Sequence, residues 1–493
     1  MNNQPNKVET FNLRAFGNDI LIYSFGQATL LFFGFVQSLI IPKYLSTVDY
    51  GYWQLFLLCT TYVGLLHFGF LSGLLIRWAG RDLREFLDEI PTAFKVTILG
   101  QVFVAILLLP IAATTDLLPT EIAFTVLVNA ILVNLLTFFM VIAQSVKQFK
   151  IITKVNILNG FLFLLAILII FFNKTQGYIS LIFATLIVNL IILSLFIVHF
   201  RGCLFHQNSR KISLPQYVKG NIGIGIFVLL GNFTALLFVT IDRLTVGSFF
   251  SITDFALYAF AMSMCSFVTV FLQAVSQVFF PYLSGSSGEI RVKAFQLLKP
   301  SLIILWAGAL AIYFPLSMGI EYYLPNYSES LPLIAVLLCT VGFSGQIQIL
   351  HANFFKVHRK QRVYFILAGV SLLGAVALNL LAVYLFGTLT AVAVTAVIGF
   401  SIWYLLNKFS LRRLVSMDTQ EIAKWLLIIG VYAGAFLVIS ALALEWVCGM
   451  VIYLAVFVVV TGTVLKPEVI RLLNLISAVV NRNKDTVVVQ TKR

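Results

Sequence analysis

Residues 24–53 read SFGQATLLFFGFVQSLIIPKYLSTVDYGYW, and residues 229–258 read LLGNFTALLFVTIDRLTVGSFFSITDFALY. Laid over one another without a gap, at an offset of 205, they pair Gly26 with Gly231, Gln27 with Asn232 and Thr29 with Thr234. Further along, Gln37 meets Asp242, Ser46 meets Ser251, Asp49 meets Asp254, and Trp53 meets Tyr258. Apolar composition alone matches Leu and Phe by chance, but it does not readily pair Gly, Thr, Ser and Asp. Each copy is an apolar run, a Ser-x-x-Asp corner and the start of a second apolar run. The chain therefore contains an internal repeat, and the repeat unit begins with a helical hairpin.

Outward from the repeat, the rest of the chain has the same character. Of its 493 residues 60% are hydrophobic and 11% charged, and the mean hydropathy is +1.00. Soluble domains carry about 25% charged residues, so this chain cannot cover a water-facing surface. Apolar runs of about 20 residues recur along its length, each long enough to cross a hydrocarbon core of about 30 Å. They lack period-2 alternation, which favours helices over a β-barrel. The expectation is an all-α integral membrane protein of about fourteen helices, near 20–41, 52–76, 97–113, 122–144, 157–172, 178–200, 222–250, 255–283, 302–320, 331–350, 364–386, 389–405, 425–442 and 446–465. Copy one then opens on helix 1 and copy two on helix 7. Six helices separate them, so both copies share one orientation, a parallel repeat of the kind built into transporters. This divides the chain into lobes 1–211 and 212–410 with an appendage, 411–493.

Charge sets the orientation. With the N-terminus inside, 30 of the 33 Lys and Arg fall at the inner side; only Lys43 and Lys174 fall outside, and Arg243 lies within a helix. That bias predicts both termini in the cytoplasm. The net charge of +14 is spread between apolar runs, which suits anionic lipid and argues against nucleic acid. Residues 81–90 and 469–480 are amphipathic and are expected to lie in the headgroup region. The polar residues 1–19 and the long first apolar run predict no cleavable signal peptide. The five cysteines show no zinc or CxxC spacing and are expected to be reduced thiols. No Walker, HExxH or serine-triad pattern occurs, and the outer loops are short, so neither an enzyme nor a cofactor is expected.

The corner Pro42-Lys43-Tyr44-Leu45-Ser46-Thr47-Val48-Asp49-Tyr50-Gly51-Tyr52-Trp53 resembles that between helices 1 and 2 of the polysaccharide transporter family. So do Ile241-Asp242-Arg243-Leu244-Thr245-Val246-Gly247 with Thr253-Asp254-Phe255-Ala256-Leu257-Tyr258, the stretch His67-Phe68-Gly69-Phe70-Leu71-Ser72-Gly73, and Phe280-Pro281-Tyr282-Leu283-Ser284. These are the Wzx-type flippases of the MOP superfamily, which share a MATE-like two-lobe bundle with multidrug extruders and the lipid II flippase. Ala256 departs from the pattern, standing where the second copy commonly has Gly. The resemblance implies flipping of an undecaprenyl-diphosphate-linked oligosaccharide across the inner membrane, in O-antigen, capsule or exopolysaccharide synthesis. It also implies a polysaccharide polymerase and a chain-length regulator as partners. An ion-coupled multidrug exporter is the alternative on the same fold.

Intramembrane polar residues supply the candidate sites, because charge in hydrocarbon is costly. Asp242 and Arg243 are the clearest: the carboxylate as a proton or cation site, the guanidinium as partner of a diphosphate, or both as paired or snorkelling structural charges. Gln27, Gln37, Asn232, Asn129, Asn134, Gln273 and Gln277 suit either sugar hydroxyls or interhelical hydrogen bonds. His67, read as the one histidine well inside an apolar run, is a second ion-coupling candidate. Arg14, Arg77, Lys95 and Lys219 flank the inner mouth, where they suit a diphosphate or lipid headgroups. With no ATP site in the sequence, uphill work would draw on a proton or sodium gradient.

Overall fold

The structure, a computed structural model, describes residues 13–79, 81–114, 118–173, 177–206, 213–267, 288–412, 414–415, 418–442 and 444–470; of 13–25, 27, 31, 288 and 290 only the backbone is described. Every described element is a helix, and no strand occurs among the described residues. In lipid this is obligatory: without water, only a helix satisfies its own N–H and C=O groups within one segment. Val, Ile and Phe runs that are mediocre helix formers in water are therefore held helical by their solvent.

The chain divides into two compact units, Met1–Asn232 and Phe233–Arg493. The first contains α1 (Leu13–Tyr44), α2 (Thr47–Tyr62), α3 (Phe70–Trp78), α4 (Ile90–Thr114), α5 (Thr120–Ser145), α6 (Phe149–Phe172), α7 (Tyr178–His199) and the beginning of α8 (Leu214–Phe249). The second contains the end of α8, α9 (Ile252–Phe267), α10 (Gly288–Ala309), α11 (Tyr313–Tyr323), α12 (Leu331–Gly345), α13 (Ala352–Val357), α14 (Gln361–Leu385), α15 (Leu389–Leu411), α16 (Thr419–Ala441) and α17 (Trp446–Val464). A π-helical turn, Gln346–His351, joins α12 to α13.

Among the described residues eleven helices are long and apolar enough to cross a membrane, twelve if the bent α2–α3 pair forms one span. Two shorter apolar helices, Ala28–Tyr44 and Ile252–Phe267, fall where the sequence placed helices 1 and 8. The protein is thus a multi-pass helical membrane protein. Several helices run further at their basic ends than the hydropathy suggested: Lys95, Lys150, Lys154, Lys219, Lys299, Lys408 and Lys424 are all helical residues, not loop residues. A lysine stem packs along a helix while its head seeks polar surroundings, so charge does not end the helix.

In unit one α1 packs on α6 and α5 packs on both α4 and α7. The core is aromatic: Phe139 stacks on Phe196 at 5.6 Å and Trp78 on Phe86 at 4.8 Å. The apolar face of residues 81–90 packs on protein: Phe86 and Ile90 are fully buried in that core. The tail helix expected at 469–480 lies outside the described residues beyond 470. In unit two α15 packs on α12 and α14, and α16 on α12 and α17.

Candidate functional site

The Ser-x-x-Asp corners of the repeat fold alike. Ser46 Oγ accepts from the Asp49 backbone N–H at 3.0 Å and donates to Asp49 Oδ2 at 2.6 Å. Ser251 Oγ accepts from the Asp254 N–H at 3.1 Å and donates to Asp254 Oδ2 at 2.7 Å. A serine cap satisfies an orphan N–H, and an acid in the first turn complements the helix dipole. The 205-residue offset is therefore structural as well as textual.

Within this shared frame the paired polar positions diverge. Gln37 Nε2 reaches the Gly160 carbonyl at 3.5 Å, where α6 comes so close that a methyl group on Gly160 would stand 2.4 Å from the Phe33 ring. Its counterpart Asp242 is 5% exposed. Asp242 Oδ2 accepts a hydrogen bond from the Tyr258 hydroxyl at 2.8 Å, and Oδ1 one from the Arg243 backbone N–H at 2.8 Å. Tyr258, fully buried, is the residue the repeat paired with Trp53. The sequence flagged Asp242 but not this partner, although both lay in the same aligned segment. Each carboxylate oxygen keeps acceptor capacity beyond its one neutral donor. The spare capacity can take a proton or a cation, and the neighbouring Arg243 charge also acts on this carboxylate. Arg243 is half-buried on the next helical position.

The other candidates are distributed as follows. Asn129 and Asn134 are fully buried and engaged within unit one. Asn129 donates to Thr60 Oγ1 at 3.2 Å and accepts from Asn189 at 2.9 Å. Asn134 donates to the Val63 carbonyl at 2.9 Å and to Gln101 Oε1 at 2.8 Å, and Gln101 in turn donates to the Leu66 carbonyl at 3.0 Å. Asn134 and Gln101 thus bind carbonyls of the 3-10 turn Val63–His67, at the break between α2 and α3.

The break bends the pair by 62°, with left-handed Phe68 (φ 47°) and Gly69 (φ 83°) at its apex. Half-buried His67 caps it, its Nδ1 accepting from the Gly69 N–H at 3.1 Å. Glycine is required here twice over. Beyond its φ, Gly69 lies against the α8 backbone, and one turn on Gly73 lies so close that a Cβ would fall 2.0 Å from the Asn221 carbonyl oxygen.

Arg77 is ion-paired with Glu89 at 3.0 Å and lies 5.3 Å from the Tyr217 ring centroid. Lys95, Lys219 and Asn232 are exposed. The side chains of Arg14 and Gln27 lie outside the described atoms, and Gln273 and Gln277 outside the described residues. The sequence reading of histidines needs correction: His351, taken as the residue after a helix, is inside the continuous span Pro325–Val357 and fully buried. A second buried cation group, also missed, surrounds Lys299, which is 2% exposed, ion-paired with Glu421 and 4.8 Å from the Trp425 ring.

Solved structures of similar fold place this architecture. The lipid II flippase MurJ in an inward closed conformation is 12% identical with a TM-score of 0.60, covering 91% of this chain and 100% of that one. An inward-facing multidrug resistance MATE family transporter of the MOP superfamily is 16% identical with a TM-score of 0.59, over 80% of this chain and 94% of that one. A mutant of the Vibrio cholerae MATE transporter VcmN is 14% identical with a TM-score of 0.53, over 81% and 98%. No family model matches the chain, and no curated protein matches it. At these identities the likeness establishes the fold alone, one this chain shares with these flippase and MATE transporter structures.

Proposed function

We propose that the protein flips a lipid-linked oligosaccharide, carried on undecaprenyl diphosphate, across the bacterial inner membrane for surface polysaccharide synthesis, with both termini in the cytoplasm. The observation that carries this reading is coverage. The MATE structures leave about a fifth of this chain unmatched, while the lipid II flippase leaves under a tenth and is itself matched end to end. The polar head of such a substrate bears many hydrogen-bonding groups, each costing several kcal/mol if left bare in hydrocarbon. A protein path that alternates its opening between the two membrane faces replaces the lost water while the polyprenyl tail stays in lipid. An ion that binds one arrangement better than the other drives the cycle; equal affinity shifts nothing. Asp242, with its spare acceptor capacity, is the first coupling candidate, and Arg243 the first contact for the diphosphate.

The test is flipping in proteoliposomes, or surface-glycan output in a deletion strain. Arg243→Ala lowers transport with insertion intact, Arg243→Lys keeps part of it, and Asp242→Asn uncouples transport from the ion gradient. Normal transport by both Arg243→Ala and Asp242→Asn overturns these assignments. Export of cationic drugs with no glycan phenotype favours the multidrug alternative.

A further inference from the structure

Unit two encloses a basic group for which the transport reading has no use. Lys408, in the last turn of α15, is fully buried, and its ammonium makes no hydrogen bond. The Tyr404 ring lies 4.5 Å from it. The charges of Lys299 and Glu421 lie close enough to act on it, and it in turn acts on His351. His351 is fully buried with both ring nitrogens unpartnered, its ring 5.4 Å from that of Tyr404. Beside Lys408, Asn407 is equally buried with both amide atoms unpartnered. Gln346, which donates to the Lys299 carbonyl at 2.9 Å, has an idle Oε1. The π-helical turn carries Gln346 and His351, and such turns occur often at functional sites.

The inventory is lopsided. Of the two buried ammonium groups, Lys299 holds the Glu421 carboxylate and also feels the Glu468 charge, whereas Lys408 has no carboxylate paired with it among the described residues. The group's unpartnered donors include the Lys408 ammonium, the Asn407 amide and one His351 N–H, beside the idle acceptors Asn407 Oδ1 and Gln346 Oε1. Buried polar groups are almost always satisfied, and a lone buried charge is the costliest exception. What is missing is a negative charge that can accept from these donors, and water or hydroxyl groups on it can meet the idle acceptors. One helical turn beyond Lys408, about 6 Å along the axis, Arg412 joins Lys360, Ser410, Phe409 and Leu414 around an open cavity of about 430 Å³. A basic cavity thus lies one helical turn from the buried basic group.

We propose that this group is a binding site for an oxyanion of the phosphate class, free or borne on a lipid headgroup, with Lys408 as its inner anchor and Arg412 and Lys360 at its mouth. The proposal does not depend on the flippase reading, and its test measures no transport.

The experiment is thermal unfolding of the purified full chain. Inorganic phosphate is titrated in lipid-depleted detergent at ionic strength matched with chloride, and in parallel the protein is placed in nanodiscs of phosphatidylglycerol or of phosphatidylcholine. Saturating anion raises the melting midpoint by about 2 °C or more, because a ligand bound only to the folded state stabilises it. Lys408→Met removes the response, while Lys293→Gln, at an exposed ion pair in the first turns of α10, keeps it. Should Lys408→Met fail to fold, Arg412→Gln and Lys360→Gln at the mouth serve instead, each raising the half-saturating concentration about tenfold. A response to free phosphate identifies a soluble anion, and one confined to phosphatidylglycerol a headgroup. No response in either medium means that the site holds water only. That result, or an undiminished response in Lys408→Met or in both mouth variants, overturns the proposal.

Discussion

Alanine at Gly73 tests the tightest contact in unit one. The added carbon would lie 2.0 Å from the Asn221 carbonyl oxygen and 2.7 Å from its carbon, both backbone atoms that cannot rotate away. An ordinary C···O contact is about 3.3 Å, so α3 and α8 must part by more than 1 Å, or α3 must shift along its axis. Overpacking of this kind costs about 1–3 kcal/mol, and the rigidity of the opposing backbone points to the upper end. Alanine's better helix propensity returns about 1 kcal/mol. The net expectation is a loss of about 2 kcal/mol. Gly100, on an exposed face of α4 with nothing near its Cβ position, is the control. There alanine should gain about 0.5–1 kcal/mol. Gly225→Ala meets the Gly69 carbonyl oxygen at 2.0 Å across the same contact. One separation of the helices relieves both clashes, so the double variant should lose less than the sum of the single losses. Thermal unfolding in detergent, followed by tryptophan fluorescence, reads this directly, since Trp78 closes α3 against Phe86. If Gly73→Ala melts at or above Gly100→Ala, the close backbone approach does not exist and the reasoning fails.

Two further outcomes are expected. Ser46→Ala and Ser251→Ala should each cost about 1 kcal/mol, the usual worth of a helix cap; a measurable loss at one site and none at the other would show that the corners are not equivalent. In a cysteine-free background, Lys360→Cys and Phe386→Cys, flanking the 25-residue α14 and so about 39 Å apart, should react with an impermeant thiol reagent from opposite faces of the membrane, and labelling of both from one face would refute a spanning α14.

The sequence disclosed the repeat, the helical class and most spans, because those depend on apolar run length and on a few corner residues. It also disclosed Asp242, whose charge stands out in an apolar run. What it hid lies at the basic ends. Reading Lys299 and Lys408 as loop residues followed from treating charge as a terminator, yet both sit inside helices and are buried. A clue was present in the run Phe400–Leu411: Lys408 follows Tyr404 by four and precedes Leu411 by three, so it shares a face with two residues that turn out fully buried. His351 was missed in the same way, one residue past an end drawn too early. The engagement of Asn129 and Asn134 was not legible either, since their partners Thr60, Gln101 and Asn189 are distant in sequence and nothing local marks the break at Phe68–Gly69.

The paired corners also bear on how the two copies differ in what can act on them. Ser46–Asp49 and Ser251–Asp254 are the same device twice, yet a few residues upstream one copy presents a neutral amide at Gln37 and the other an acid at Asp242. A cation arriving at that acid addresses the second copy and finds no counterpart in the first. The two copies share a corner without sharing the charge beside it, and are chemically not interchangeable end for end.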